Sequence, residues 1–201
     1  MISVVIRTIG RDTLNNAINS ALREFENIIV VADAIELQNK VEDSRVSYLK
    51  TGQKFDKYGS AALNMGACSV TTEYFCLLDD DDEFVDGAGD FMRNFLINNP
   101  DCDIAIPGLK FNQGLVLCEK PGLAYGNVAV PTFRTHWALK VPITPLHCRA
   151  DQLAVGSSVP SDAIDLAHVV KCSELGAKVK WYEKILYLVR PKLEGTNGRG
   201  K

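Results

Sequence analysis

Four consecutive carboxylates, Asp79-Asp80-Asp81-Asp82, with Glu83 behind them, follow directly on the apolar run Tyr74-Phe75-Cys76-Leu77-Leu78. Such a run predicts a buried strand ended by charge. Like charges this close repel, and side chains held at a strand terminus cannot all swing into solvent. The group therefore calls for protons, strong hydrogen bonds or a bound cation. Carboxylate oxygens are hard ligands suited to magnesium, manganese or calcium, and a magnesium-type ion keeps positions that substrate phosphate oxygens fill. A solvated acidic turn is the plain alternative. Position argues against it, because ligands of α/β sheets bind at the carboxyl ends of strands. An EF-hand loop is excluded, since its sixth position, counted from Asp79, needs glycine and is Phe84.

The elements that must place this cluster are legible upstream. Ile2–Ile6 is a continuous apolar run, and Asp12 or Thr13 can cap a helix carrying Leu14, Ile18, Ala21 and Leu22 at helical spacing. Ile28–Ala32 reads as a second buried strand that stops at Asp33, and Val46–Leu49 as a short third. Ser60 is the expected cap of a small helix through Met65. After the acids, Phe91, Met92, Phe95 and Leu96 mark a helix ending at Asn98-Asn99-Pro100, and Ile104–Ile106 reads as a fifth strand. This βαβ alternation predicts a mostly parallel sheet with helices on both faces and right-handed crossovers. Asp33 and Asp79–Asp82 would then open on one edge.

From about residue 108 the texture changes. Lys110-Phe111, Asn112-Gln113-Gly114 and Leu115–Leu117 predict a hairpin, followed by a loop-rich stretch with Pro121, Gly122, Gly126 and Pro131. One further helix is expected, capped by Ser161, with Ile164, Ala167, Val170 and Leu175 as its buried stripe and Gly176 as its end. Val179–Tyr182 and Ile185–Val189 read as late strands, and the Gly-, Lys- and Asn-rich tail from Lys192 as mobile. No internal repeat is present, so the second half reads as an extension of one domain.

Composition bounds the class. The 201 residues are 46% hydrophobic, enough for one large domain, and the net charge of −3 comes without a basic block that would mark nucleic acid as a partner. No apolar stretch approaches the roughly 20 residues of a membrane span. The N-terminus reads as a first strand rather than a signal peptide. The six cysteines (Cys68, Cys76, Cys102, Cys118, Cys148, Cys172) show no CxxC spacing and several lie in apolar runs, which is the pattern of reduced core thiols and points to the cytoplasm.

Taken together, these segments resemble the family 2 glycosyltransferases. Ser3-Val4-Val5-Ile6-Arg7-Thr8-Ile9-Gly10-Arg11 is similar to that family's first strand and nucleotide loop. The resemblance continues through Leu14–Leu22, Ile28–Asp33 and Gly59–Gly66 to Glu73–Asp82, which matches the strand bearing the Asp-x-Asp motif. Ser161-Asp162-Ala163-Ile164-Asp165-Leu166, then Gly176 and Tyr187-Leu188-Val189-Arg190, resemble the helix of the catalytic base and the strand after it. The resemblance implies a GT-A fold, Rossmann-like, with a compact, loop-rich acceptor half. Residues 1–107 would hold the nucleotide sugar, 108–191 the acceptor and the base, and 192–201 would be a tail.

What it implies chemically follows from the reaction. A nucleotide-sugar donor leaves as a diphosphate, so charge builds on the pyrophosphate, and a divalent ion, manganese or magnesium, stabilises it there. Asp79 and Asp81 are the expected ligands, Asp81 the firmer. Asp79 or Asp80 can instead bond the ribose or donor sugar. Asp33 corresponds to the family's acid for base or ribose, Thr8 lies in the loop over the same pocket, and Lys57 can meet the pyrophosphate or stand as an exposed loop lysine. The acceptor hydroxyl must lose its proton as it attacks. Asp162 matches the base, and its place near a helix start would keep it ionised. Asp165 is second, and both acids can equally serve the helix dipole alone. His136 beside Trp137 can touch an acceptor sugar, although Trp137 suits a core, and His147 and His168 carry no motif. The resemblance puts a UDP-sugar first among donors and a glycan or lipid-linked hydroxyl as acceptor, in the cytoplasm or at the inner face of a membrane.

The sequence also departs from the family. Arg7 and Ile9 replace the usual proline and tyrosine of the first loop. Ala32-Asp33-Ala34-Ile35 leaves one acid where more are usual, and Leu63 and Ser161 stand where arginine and glutamate are common. Two other readings remain open. A nucleotidyltransferase would carry a Gly-rich basic loop after the first strand, echoed only by Arg7, Gly10 and Arg11. An inactive nucleotide- or metal-binding relic would keep the same acids.

Overall fold

The computed structural model describes residues 1–54, 59–111, 116–117, 132–140 and 164–189. Several expectations lie outside them. These are Lys57, the Asn112–Leu115 turn, Cys118, the Pro121–Pro131 stretch, His147, Cys148, Ser161, Asp162, Arg190 and the tail.

The continuous apolar runs became the central strands. β1 (Ile2–Thr8), β2 (Asn27–Ala32) and β4 (Tyr74–Asp79) are parallel neighbours, and β3 (Val46–Lys50) extends them on the β2 side. Between β1 and β2 runs α1 (Leu14–Glu24), which buries Leu14, Ala17, Ile18 and Ala21, a stripe at 3.6-residue period. The other helices are α2 (Ser60–Cys68), α3 (Ala88–Asn98), α4 (Thr135–Lys140) and α5 (Ile164–Glu174). Beyond β4 the chain forms β5 (Glu83–Phe84), β6 (Ile104–Phe111), β7 (Val116–Leu117), β8 (Thr132–Arg134) and β9 (Val179–Val189).

Among the described residues these nine strands make one sheet in the order β3-β2-β1-β4-β8-β6-β9-β5, with β7 paired to β6. The first four are parallel. β8 runs antiparallel to both its neighbours, β4 and β6, and so joins the parallel half to a second half in which β6 and β9 are again parallel. The expectation of a mostly parallel sheet flanked by helices holds for the β3-β2-β1-β4 half.

Several local expectations need correction. Thr13 stands at the N-cap of α1 in a helical conformation (φ −76°, ψ −15°) without a side-chain cap bond. The helix instead starts from a turn in which Leu14 N donates to Arg11 O (3.1 Å). Ser60 is the first residue of α2, and the cap position belongs to Gly59, whose φ of 70° is open to glycine at little cost. Leu175 is 48% exposed rather than buried, because α5 ends at Glu174 and the chain turns at Gly176 (φ 100°), which carries Leu175 off the helical stripe. The two late strands are one, β9. Its pairing with β6 shifts register between Ile106 and Gly108, a bulge that lets one strand bend without ending.

Tertiary bonds brace the sheet around its acidic end. Glu24, at the end of α1, accepts bonds from Gly87 N (2.9 Å) and Gly89 N (2.8 Å), which makes it the cap of α3 from another helix. Phe84 packs between Phe25 (4.8 Å) and Tyr187 (4.7 Å) and its N–H donates to Ser20 Oγ (3.1 Å). Trp137 is buried in the core, with exposed His136 beside it at 5.4 Å between rings. His168 is buried with Cys172 Sγ 3.7 Å from its Nε2. Of the described cysteines, Cys76, Cys102 and Cys172 are buried thiols and Cys68 is exposed.

Candidate functional site

Parallel pairing sets the site. Thr8 lies opposite Ala32 and Arg7 opposite Asp79, so β1, β2 and β4 all end at one edge. There Asp79 O accepts a bond from Asp82 N (3.1 Å), closing a turn with Asp80 and Asp81 at its corners. The acids are thus held on a tight turn at a strand end, and water reaches them unequally. The Asp79 side chain is 38% exposed, whereas Asp80 and Asp81 are at 2% and 4%.

Burying carboxylates demands compensation, and the loop after β1 supplies it. Asp80 Oδ2 accepts bonds from Thr8 Oγ1 (2.7 Å) and Ile9 N (3.2 Å), while Asp80 Oδ1 pairs with Arg11 Nη1. Gly10 N in turn donates to Thr8 Oγ1 (2.9 Å), which fixes the hydroxyl's direction. Arg11 Nη1 also stands 3.9 Å from Asp81 Oδ1. Partial burial works against the charge of the Arg11 guanidinium, but Asp80, Asp81 and Asp79 outweigh it and raise its pKa above the ordinary value. Arg7 Nε donates to Asp79 Oδ1 at 3.0 Å.

Asp33 sits across this edge. Its backbone N–H donates to Thr8 O (2.9 Å), and its buried carboxylate accepts from Thr51 Oγ1 (3.3 Å). Gly59 closes the far wall: a Cβ there would lie 3.3 Å from Arg7 Cδ and 3.9 Å from Asp33 Oδ2. Arg7, Thr8, Ile9, Arg11, Asp33, Gly59 and Asp80 line a pocket of about 140 Å³. A polar hollow of about 330 Å³ continues from Gly10 and Arg11 to Glu36–Asn39.

Of the residues expected from the sequence, Thr8, Asp33 and Asp80 meet in one pocket, with Asp79 and Asp81 on the adjoining turn. Lys57 and Asp162 lie outside the described residues, and Asp165 is on α5. Arg7, Arg11 and Thr51 were not expected as partners of the acids. The signal that points to the arginines is charge: two guanidinium groups, Arg7 near the end of β1 and Arg11 in the loop after it, opposite four carboxylates. As donors for a metal the acids are hard oxygens of the right kind, yet among the described residues no three His, Cys, Asp or Glu side chains converge on one point.

This sheet order, with acids on the turn after its fourth strand, is that of an α/β fold whose candidate site lies at the carboxyl edge of its parallel strands. The chain matches the family model Glycosyl transferase family 2 over residues 3–112 and belongs to that family. No curated protein sequence matches it. Among solved structures it is similar to S. aureus TarS 1-349, with 14% identity and a TM-score of 0.68, 94% of this chain covering 60% of that one. The complex of the same fragment with UDP-GlcNAc gives 14% identity and 0.66, with 98% and 60% covered. S. aureus TarS itself gives 13% and 0.66, with 94% and 36% covered. The chain therefore spans at most about 60% of the length of these proteins. The shared architecture is GT-A. Among the described residues no helix is long and apolar enough to cross a membrane.

Proposed function

We propose that this chain transfers a sugar from a nucleoside-diphosphate donor, a UDP-sugar first, to the hydroxyl of a glycan or lipid-linked acceptor in the cytoplasm, with inversion. The observation that carries this reading is the meeting of Asp33, Thr8 and Asp80 in a pocket at the carboxyl edge of β1, β2 and β4, within the segment that matches the family. The complexes of TarS 1-349 with UDP and UDP-GlcNAc support the choice of donor.

In this reading residues 1–107 hold the donor. Asp33 accepts a hydrogen bond from the base or ribose, and the exposed side chain of Ile9 offers the base an apolar face beside it. Asp80, buried and bonded by Thr8 and Arg11, holds the loop in shape and presents its edge to the sugar side. Asp81, with Asp79, would hold a divalent ion, which supplies positive charge to the departing diphosphate. Lys57, outside the described residues, is the proposed further cation for the same phosphates. Residues 108–191 bind the acceptor, and Asp162, two residues ahead of α5, takes the hydroxyl proton.

A thermal-shift panel of UDP, GDP and TDP with manganese tests it, since a ligand that binds only the folded chain raises Tm by mass action. UDP with manganese should raise Tm. Asp33→Ala should weaken UDP about tenfold or more, the loss of one charge-assisted bond of about 1.5–3 kcal/mol. Asp162→Asn should leave UDP affinity intact and lower sugar transfer by about 100- to 10,000-fold. No shift with any of the three nucleotides overturns the proposal.

A further inference from the structure

Asp33 is held at its backbone from both sides. Its N–H donates to Thr8 O (2.9 Å), and directly after it Ala34 N turns back to Ala32 O (3.1 Å). Ala34 has a φ of 60°, a left-handed conformation that a residue with a Cβ keeps only where its surroundings fix it. One freedom remains, because the last torsion of an aspartate is broad and a carboxylate on a fixed Cα can still swivel. Thr51, the residue after β3, restrains it. Its N–H donates to Ala32 O (3.0 Å), and its Oγ1 reaches Asp33 Oδ1 at 3.3 Å, nearer than Ala32 O at 3.5 Å. That distance is long for a hydroxyl donor, so the contact gives direction more than strength. Thr51 is 1% exposed and lies behind Asp33, outside the lining of the pocket. The other oxygen, Asp33 Oδ2, has no partner among the described residues. It stands on the pocket side, beside Gly59, where a Cβ would lie 3.9 Å from it.

We infer that Thr51 is a positioning residue: by occupying Oδ1 of Asp33 it aims Oδ2 into the pocket as a single, fixed acceptor for an N–H or O–H of the nucleotide. The inference rests on the donor reading above. It gives a role to a side chain that touches no ligand. A carboxylate with both oxygens open clamps a pair of donors, whereas one held at Oδ1 offers the ligand one oxygen in one direction. Fixing that oxygen beforehand removes the ordering that the ligand would otherwise have to impose.

Calorimetric titration of UDP, in one buffer with manganese, into the full chain and its variants tests this. Thr51→Val, which keeps the shape and deletes the hydroxyl, should weaken UDP about three- to tenfold, the effect of one modest hydrogen bond. Thr51→Ser, which retains the hydroxyl, should stay within about twofold of the parent. In an Asp33→Ala background, Thr51→Val should weaken UDP no further, because no carboxylate is left to orient. A Thr51 that merely supports the fold would weaken UDP by the same factor in both backgrounds, and that result overturns the inference. So does an unchanged UDP affinity in Thr51→Val. Circular dichroism melts establish that each variant is folded, and Thr51→Ala replaces Thr51→Val if that variant melts early. UDP binding without coupling between the two positions removes the inference alone. If neither the parent nor any variant binds UDP, the donor reading fails and the inference falls with it.

Discussion

Thr8 Oγ1 donates a 2.7 Å hydrogen bond to Asp80 Oδ2, joining the last residue of β1 to the turn after β4 through two buried side chains. Gly10 N holds the same hydroxyl from the other side, so its proton has one direction to point. The loop over the pocket and the acidic turn are thereby one unit.

Thr8→Val keeps the shape and deletes the donor. The lost bond to a charged acceptor is worth about 1.5–3 kcal/mol. A chain of this size should lose roughly 2–4 °C of Tm for each kcal/mol. Thr8→Ser, which retains the hydroxyl, should recover most of it. A Tm for Thr8→Val equal to the parent's would show that Asp80 is carried by Arg11 and Ile9 alone.

The contact between α1 and α3 depends on Glu24 accepting from Gly87 N and Gly89 N. Glu24→Ala should cost about 2 kcal/mol in urea unfolding, since two N–H groups at a helix start lose a charged partner. Gly89→Ala should be no milder, because its Cβ would lie 2.3 Å from Glu24 O and force the helices apart. If either variant unfolds at the parent's urea midpoint, the cap contributes nothing.

Burial lifts the Cys76 thiol from its ordinary 9.0 to about 12, against smaller opposing effects of the Tyr187 hydroxyl and its own backbone. The folded state holds this proton more tightly than the unfolded state. The resulting stability is complete below pH 9 and is lost as the pH rises toward 12. Relative to Cys76→Ala, the parent should therefore lose stability above pH 9. At pH 8 iodoacetamide should modify exposed Cys68 and spare Cys76 until the chain unfolds, as mass spectrometry can read. Equal labelling of the two in the folded chain would contradict this.

The strands were legible where burial on both faces leaves an unbroken apolar run, as in Val4-Val5-Ile6 and Ile28–Val31. The acidic cluster was legible because charge ends such a run at Leu78-Asp79. The three residues of β8 were not, since Thr132-Phe133-Arg134 owes its strand to the edges of β4 and β6 on either side. Nor was the cap of α3, because its carboxylate comes from Glu24, on another helix. The arginine partners of the acids were hidden for the same reason. Arg7 and Asp79 are neighbours only through a parallel register between strands far apart in sequence, which local pattern does not encode.

The pairing of β5 with β9 sets an order of completion. Glu83 and Phe84 follow the acids directly, but their partners Leu188 and Tyr187 are in the last described strand, and Val85 N also waits there for Leu186 O. A chain made from its N-terminus has β1, β2, β3 and β4 in hand early, all with partners among themselves. The acidic turn is then anchored from the β1 side alone. Its other flank is fastened only when β9 is synthesised, so the β5–β9 pairing behind the acidic turn, together with the share of the core that Leu186, Tyr187 and Val189 supply, is the last part of this sheet to be made.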